Sequence, residues 1–313
     1  MDAATAERFE ANRDRLASLA YRLLGSAADA EDVVQDAFLR WHAADREHIV
    51  VAEAWLTKVV TNLSLDRLRS AMTRHERAVG DWLPEPLLDG DPMLGPADTV
   101  EQRESVTLAV LMLMERLTPV ERAVYVLREA FGYRHAEIAE ILDITESACQ
   151  QHAHRARRRI ATDRTVGGID RAAARRVVEA FVDAASSGRT ERLVALLTDD
   201  TTAISDGAGV GPGRKLLRYA GPERIAAALR VGFKPTQAKR NLAGGSPSVY
   251  AGVINGSPAL IAAFDDRVVG VVVLDVRDDK ITAVRGIASA DRLGRLTERW
   301  LRREPEDPII GLW

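Results

Sequence analysis

Residues 133–160, YRHAEIAEILDITESACQQHAHRARRRI, have the pattern of a helix-turn-helix. Apolar residues three and four positions apart predict the buried side of a short helix over 135–142. Asp143-Ile144 predicts a tight turn, and Thr145 predicts the N-cap of a second helix that runs to the end of the segment. The spacing therefore predicts two helices held at a fixed angle.

The outer face of the second helix carries side chains that suit DNA recognition. Glutamine pairs with adenine, arginine pairs with guanine or phosphate, and a helix N-terminus attracts phosphate. We therefore predict a DNA-binding surface, called the reading face below, made of Ser147, Gln150, Gln151, His154, Arg155 and Arg158. The alternative is a surface helix with a solvated basic end. The tight turn and the capping-box sequence TPVE at 118–121, which starts the preceding helix, favour DNA recognition.

The composition limits the class of protein. A chain of 313 residues predicts two or three domains, and 46% hydrophobic with 28% charged residues is enough for ordinary cores. Cys149 is the one cysteine, which excludes an intrachain disulfide and a four-cysteine zinc site. No signal core or long apolar run occurs. We expect a cytoplasmic protein with no membrane span, no metal and no cofactor.

The charge is unevenly distributed along the chain. Residues 1–165 contain 28 Asp and Glu against 21 Lys and Arg, whereas residues 166–313 contain 18 against 22. The arginines of the acidic half are nevertheless grouped, at 67–77 and at 155–164. Two basic patches on an acidic body predict local phosphate contacts, with acidic faces left for other partners.

Hydrophobic periodicity predicts a multidomain protein with two all-α domains and a C-terminal α+β domain. The predicted parts are a helical domain at 1–78, a proline-rich acidic linker at 79–106, the helix-turn-helix domain at 107–164, the α+β domain at 167–300 and a tail at 301–313. Within the α+β domain, helices are predicted at 169–187, 189–197 and 221–231, and strands at 248–254, 259–264, 267–276 and 280–288. Asn255-Gly256 and Asp278-Asp279 are predicted hairpin turns. This pattern predicts one curved sheet.

Several motifs occur in an order that resembles the extracytoplasmic-function (ECF) sigma factors of RNA polymerase. They are Tyr21-Arg22-Leu23-Leu24-Gly25, the segment 29–38, Trp55-Leu56, Asn62, Leu65-Asp66-Arg67-Leu68-Arg69 and the segment 118–160. Together they cover about half of the chain, and several separate motifs in one order make the resemblance specific.

The resemblance implies roles for these segments, with core RNA polymerase (its β′ and β subunits) and promoter DNA as partners. Residues 5–78 would be region two, residues 107–162 region four, and helix 145–160 would read the −35 element. Contacts to the −10 element would come from Asn62, Asp66, Arg67 and Arg69. The polymerase β′ subunit would be bound by an acidic face made of Asp29, Glu31, Asp32, Gln35 and Asp36. A solvated helix face is the alternative for this last set.

The linker sequence Trp82-Leu83-Pro84-Glu85-Pro86 and the C-terminal extension resemble the SigJ-like subgroup, whose extension is a SnoaL-like domain of the cone-shaped (NTF2-like) class. The resemblance implies that this domain regulates the factor. The subgroup's glycine motif and C-terminal motif are only partly present. Their counterparts here would supply regulatory contacts through Asp206, Gly207, Lys215, Asp291 and Arg292.

Two alternatives remain open at the sequence level. One is a one-component DNA-binding regulator whose cone domain binds an unidentified small ligand. The other is an enzyme fused to a DNA-binding module. No histidine follows His154, and the carboxylates that could act as a base lie in no motif that specifies catalysis: Asp183, Asp199, Asp206, Asp265 and Asp275. We therefore predict no catalytic residue.

Overall fold

The chain folds into two compact units in the computed structural model. The helical unit comprises Met1–Glu85 and Gly90–Arg164, and the α+β unit comprises Pro86–Asp89 and Thr165–Trp313. The structure describes residues 3–45, 48–73, 82–95, 99–160, 171–207, 216–304 and 306–313. Arg74, Arg77, Arg164 and Lys215, which the sequence analysis singles out, lie outside the described residues.

The helical unit begins with three helices, α1 (Ala3–Leu24), α2 (Ala27–Ala43) and α3 (Ala52–Thr73). The break between α1 and α2 follows from two adjacent residues. Gly25 adopts a φ of 65°, which favours glycine, and the Ser26 hydroxyl accepts a hydrogen bond from Asp29 N at 3.2 Å. Apolar side chains of all three helices, including Phe9, Trp41 and Leu56, are fully or almost fully buried.

The described part of this unit continues with a short 3-10 helix at Pro92–Leu94 and with the helices α4 (Val100–Glu104), α5 (Leu108–Met114), α6 (Pro119–Glu129), α7 (His135–Leu142) and α8 (Glu146–Ile160). The predicted start of α6 is confirmed. Thr118 Oγ1 accepts from Glu121 N at 3.3 Å, Thr118 N donates to Glu121 Oε2 at 3.1 Å, and Pro119 occupies the first turn.

The α+β unit contains helices α9 (Arg171–Ser186), α10 (Thr190–Val194), α11 (Pro222–Phe233), α12 (Gln237–Ala243) and α13 (Ala290–Leu301). Its strands are β1 (Leu197–Ser205), β2 (Leu217–Ala220), β3 (Ser248–Ile254), β4 (Ser257–Ala263), β5 (Val268–Arg277) and β6 (Lys280–Ile287). The sheet order is β2-β1-β6-β5-β4-β3, and the β1–β6 pair is parallel. Helices α9 and α11 cover the apolar core on one face of the sheet.

Both predicted hairpin turns are confirmed. Asn255 and Gly256 have φ values of 50° and 76° between β3 and β4, and Asp278 and Asp279 have values of 50° and 58° between β5 and β6. Two consecutive residues with positive φ form the turn that matches the twist of a hairpin.

The predicted end of the helix at 189–197 was wrong, and the sequence analysis did not predict the strand that follows it. Residues Leu197–Ser205, which include Asp199 and Asp200, form β1. The helix ends earlier, at Val194, and the chain then pairs with β6, over a register that includes Ala203 with Val284. This pairing joins segments about 80 residues apart, so local sequence could not reveal it.

Two distant segments hydrogen-bond to the edge strand β3 within the α+β unit. The C-terminal residues, expected as a tail, pair there: Ile309 N donates to Val249 O at 2.8 Å. At the other end of β3, Asn255 N donates to Leu87 O at 3.0 Å and Asn255 Oδ1 accepts from Leu87 N at 2.8 Å. Exposed edge strands invite unwanted pairing, and these segments satisfy part of that edge.

Candidate nucleic-acid interface

The helix-turn-helix has the geometry that its sequence predicts. Asp143 has a φ of 53° and ends α7 in the left-handed conformation, and Ile144 N donates to Ala139 O at 3.0 Å. Thr145 Oγ1 accepts from Ala148 N at 3.2 Å and caps α8. On the inner side of α8, Cys149 and Ala156 are completely buried. The position of α8 is therefore fixed by its start and by its packed side.

The reading face lies on the outer side of α8. All six of its side chains are exposed: Ser147, Gln150, Gln151, His154, Arg155 and Arg158. The structure therefore brings together on one surface the residues that the sequence assigns to DNA recognition. Glutamine and arginine at such positions can reach base edges and phosphates.

The C-terminal half of α8 is tied to α6 by ion pairs. Glu121 Oε1 accepts from Arg155 Nε at 2.9 Å, and Glu121 Oε2 accepts from Arg159 NH1 at 2.6 Å. Glu129 Oε1 accepts from Arg157 NH2 at 2.7 Å. Burial of the Glu121 carboxyl acts to raise its pKa, but hydrogen bonds from Thr118 and Arg155, with the charge of Arg159, outweigh it and hold the pKa below its usual value.

The residues predicted to bind the −10 element occupy the middle and C-terminal part of α3. Asn62 is half-buried, whereas Asp66 and Arg69 are exposed and form an i,i+3 pair at 3.3 Å. Exposed pairs of this kind are weak and can exchange for other partners. A ligand can therefore reach this part of α3.

Arg67 has a different environment from its neighbours on α3. Its NH1 lies 3.1 Å from Asp29 Oδ1 and 3.3 Å from Asp32 Oδ2, and its NH2 lies 3.7 Å from Asp36 Oδ2. The acidic face of α2 thus holds the guanidinium of a predicted DNA ligand. The remaining residues of that face, Glu31 and Gln35, are exposed.

In the α+β unit, the segment before α13 is anchored by Asp206. Its Oδ1 accepts from Ala288 N at 2.9 Å, its Oδ2 accepts from Ser289 N at 3.1 Å, and Arg292 NH1 lies 3.9 Å away. Ser289 Oγ donates to Asp291 Oδ1 at 2.6 Å. The structure thus brings Asp206, Asp291 and Arg292 together.

Gly207, also in the predicted regulatory set, lies two residues after the end of β1. Its N–H donates to Ser205 Oγ at 3.2 Å, and its φ is 60°. Lys215, the last member of that set, lies outside the described residues.

Comparison with known proteins identifies both helical segments. Residues 8–74 match the family described as Sigma-70 region 2, and residues 107–160 match Sigma-70, region 4. The probable ECF RNA polymerase sigma factor SigI of Mycobacterium tuberculosis is 33% identical over 293 residues, which cover 92% of this chain and 94% of SigI. The chain belongs to the ECF RNA polymerase sigma factors.

Two further comparisons concern SigJ, an ECF RNA polymerase sigma factor of the same species. Its sequence is 42% identical over 207 residues, an alignment that spans 65% of this chain and 65% of SigJ. The crystal structure of SigJ matches with a TM-score of 0.68 and 31% identity, and the match covers 92% of this chain and 97% of the SigJ chain. The match extends over the helical regions and the C-terminal α+β domain. As a sigma factor, this protein directs RNA polymerase to promoters, where transcription begins.

Glu85, in the linker of this sigma factor, caps α2, a role that its sequence context did not reveal. Glu85 Oε1 accepts from the Ser26 hydroxyl at 2.8 Å, and Oε2 accepts from Ala27 N at 3.0 Å. Burial raises the pKa of Glu85, and these hydrogen bonds only partly oppose the effect. Trp82 packs so close to Gly25 that a Cβ at that glycine would lie 2.0 Å from Trp82 Cη2. Residues 82–85 (WLPE) therefore pack against the corner between α1 and α2 and form part of it.

Arg22 of the sigma factor, which lies in the motif at 21–25, is fully buried. Its guanidinium donates to the Ser18 hydroxyl, to Ser105 Oγ at 3.0 Å and to Gln102 O at 3.3 Å. Burial lowers the pKa of Arg22 to about 10. The motif at 21–25 marked this residue, but only the packing reveals that it ties α1 to the segment around α4.

Contacts within the helical unit also join α3 to the helix-turn-helix. Lys58 Nζ lies 2.7 Å from Asp143 Oδ1 and donates to Glu140 O at 2.9 Å. Arg15 NH2 donates to Tyr133 Oη at 2.6 Å and Arg15 NH1 donates to Thr57 Oγ1 at 3.1 Å. The turn residue of the DNA-binding motif is thus already in contact with region two.

Among the described residues, no cluster of three or more His, Cys, Asp or Glu side chains is arranged to hold a metal ion. Within the same part of the chain, no helix combines the length and apolar character needed to cross a bilayer. In the α+β unit, an open cavity of about 560 Å³ is lined by polar residues of α12 and the loop after it, including Arg240, Asn241 and Ser246.

Proposed function

We propose that this sigma factor recognises the −35 element of its promoters with the reading face of α8. The support is the exposure of every side chain of that face on a helix whose start and inner side are fixed. Gln150 and Gln151 offer bidentate pairing with adenine, and Arg158 offers a contact with guanine or phosphate. This exposed face on a fixed helix is the observation that carries the proposal.

Residues 1–78 and their helix α3 bind the −10 element in this proposal. Asn62, Asp66 and Arg69 lie along one helix, and Asp66 and Arg69 are exposed. A polar and cationic helix surface suits an opened strand, whose bases are unstacked and whose phosphates are accessible. The acidic face of α2 binds the β′ subunit of RNA polymerase, because clustered carboxylates repel DNA but complement a basic protein surface. Residues 107–164 contact the β subunit, and the factor works in the cytoplasm with the polymerase.

The α+β domain, residues 167–300, acts as a fused regulatory module in this proposal. The support is that each candidate carboxylate among its described residues is either paired with another group or exposed to solvent, so none is placed to act as a general base. Asp206 accepts two backbone N–H groups, Asp275 forms an ion pair with Arg285, and Asp183 forms one with Arg192. Asp199 and Asp265 lie at positions open to solvent, whereas a carboxyl that acts as a general base lies in an apolar pocket. We assign no catalytic residue.

Run-off transcription with the full-length chain and purified core RNA polymerase tests the proposal. On a library of promoter fragments, the wild-type factor should select discrete start sites. Gln150→Ala with Gln151→Ala should lose that selection and retain association with core polymerase. Gln237→Ala, an exposed glutamine of the α+β unit, is the matched control. If the wild-type chain failed to associate with core polymerase, or if the α8 variant selected the same start sites, the proposal would be wrong.

The regulatory role has its own test. Asp206→Asn weakens the anchor of the segment before α13 and should change the transcript yield while start sites stay the same. A variant that folds and gives an unchanged yield would contradict the regulatory assignment. A one-component regulator, the alternative function, would bind promoter fragments without core polymerase and would gain nothing from its addition.

A further inference from the structure

The last two turns of α8 hold four arginines, and three of them are committed to carboxylates of α6. Arg155 and Arg159 lie four residues apart on one side of the helix and share Glu121. Arg157 pairs with Glu129. Arg158 forms no hydrogen bond or ion pair with any described residue, and its side chain is exposed. Among the described residues of this arginine-rich helix end, Arg158 is therefore the one arginine whose guanidinium is exposed without a carboxylate partner.

The pairing around Glu121 differs from an ordinary surface ion pair. The Glu121 side chain is only 4% exposed, and its two oxygens accept from Thr118 N, Arg155 Nε and Arg159 NH1. Buried carboxylates are costly unless they are paired, so the two arginines cannot leave without exposing an uncompensated charge. Arg155 is held further by His152, whose Nδ1 lies 2.9 Å from Arg155 NH2.

This arrangement has a consequence for DNA binding. Arginine contacts to phosphates add affinity that does not depend on sequence, whereas contacts to base edges depend on sequence. If Arg155 and Arg159 were free, they would add sequence-independent affinity. Glu121 prevents this, because one carboxylate holds two side chains that are one helical turn apart.

We propose that Glu121 sets the promoter specificity of this factor by withholding Arg155 and Arg159 from DNA phosphates, so that Arg158 is the arginine of this cluster that contacts the DNA. The inference rests on the proposed −35 recognition by α8, and it changes the role of Arg155 from a DNA ligand to a positioning residue. Glu121 acts through α8 and touches no DNA.

A purely structural role for Glu121 makes a different prediction. If the carboxylate only stabilised the packing of α6 on α8, its loss would weaken binding to every DNA sequence. If it withholds arginines, its loss should strengthen binding to non-specific DNA and weaken discrimination. The two roles therefore predict opposite signs for non-specific affinity.

The test uses Glu121→Gln in the full-length chain assembled with core polymerase. Glutamine also serves at this position of a capping box, so the start of α6 is preserved while the charge is removed. Glu137→Gln is the matched control, because Glu137 occupies the same capping-box position in α7 and pairs with the exposed Arg134 instead of α8. The probes are a duplex that the wild-type holoenzyme enriches from a randomised pool and a scrambled duplex of the same composition, measured over a series of salt concentrations.

Glu121→Gln should bind the scrambled duplex more tightly than wild type. Its slope of log affinity against log salt should steepen by up to about 0.9 for each released arginine. The preference for the enriched duplex should fall about tenfold, which is the discrimination that one good base contact supplies. Glu137→Gln should leave slope and preference unchanged. An unchanged slope in Glu121→Gln, or equal weakening on both duplexes, would overturn the inference.

Thermal unfolding shows whether Glu121→Gln folds. If it does not, two further variants test which arginine of α8 contacts a DNA phosphate. Arg159→Gln should leave the salt slope of wild type unchanged, whereas Arg158→Gln should reduce it by about 0.9. A slope reduced by that amount in Arg159→Gln would place this arginine on a phosphate and contradict the withholding. Failure of the wild-type holoenzyme to prefer any duplex would instead refute −35 recognition itself.

Discussion

The contact between Gly25 and Trp82 gives a quantitative test of the α1–α2 corner. In Gly25→Ala, the new Cβ would lie 2.0 Å from Trp82 Cη2, which is far closer than two carbons can approach. Trp82 would therefore have to leave its half-buried site. Alanine at a φ of 65° also carries a conformational cost of about 1 kcal/mol.

The two contributions can be separated by a double-mutant cycle. Loss of a half-buried tryptophan contact costs about 2 kcal/mol, taken as half of the cost for a fully buried one. Gly25→Ala should then cost about 3 kcal/mol of unfolding free energy, and Trp82→Ala about 2 kcal/mol. The double variant should cost about 3 kcal/mol rather than the sum, because the clash disappears with the indole.

Urea unfolding followed by far-ultraviolet circular dichroism measures these values for the helical unit. Gly90→Ala is the control, because Gly90 has a φ of 82° and a Cβ at that glycine would meet no atom within 4 Å, so it reports the conformational cost alone. Additive costs within about 0.5 kcal/mol in the cycle would refute the proposed contact.

Further variants test the acidic face of α2, the Glu85 cap and the contact between Asn255 and Leu87. Arg67→Gln removes the cation that neutralises the acidic face, so it should speed association with core polymerase at low salt but not at high salt, as measured by stopped flow. Weakened binding of the −10 strand is expected for Arg69→Gln instead, and the same weakening in Arg67→Gln would contradict this prediction. Burial raises the pKa of Glu85, so its stabilisation is present below pH 4.5 and is lost as the pH rises through the raised pKa. Urea unfolding at several pH values should therefore show that the free energy of unfolding of Glu85→Gln rises relative to that of wild type above pH 4.5. A difference in unfolding free energy that does not change with pH would refute the burial effect. Asn255→Gly keeps the turn and removes the acceptor for Leu87 N, so it should cost about 1 kcal/mol and speed hydrogen exchange at that amide; unchanged exchange would count against the contact.

The sequence alone was sufficient for features whose information is local. The cap at Thr145, the capping box at Thr118 and the hairpin turn at Asn255 each depend on residues within a few positions of one another. The reading face follows from helical spacing once the turn is located. The order of motifs resembling ECF sigma factors likewise required no coordinates, and the family comparison confirmed it.

The tertiary structure decided which charged side chains are available. Arg155 and Arg67 look equivalent to their neighbours in the sequence, yet Glu121 lies 34 residues from Arg155 and Asp29 lies 38 residues from Arg67. The placement of residues 197–205 in the sheet, and of Glu85 at the start of α2, likewise depends on partners far along the chain. Helical and turn patterns are set by neighbours within a few residues, whereas the pairing of a charge depends on which distant elements pack beside it, and only the folded chain specifies that.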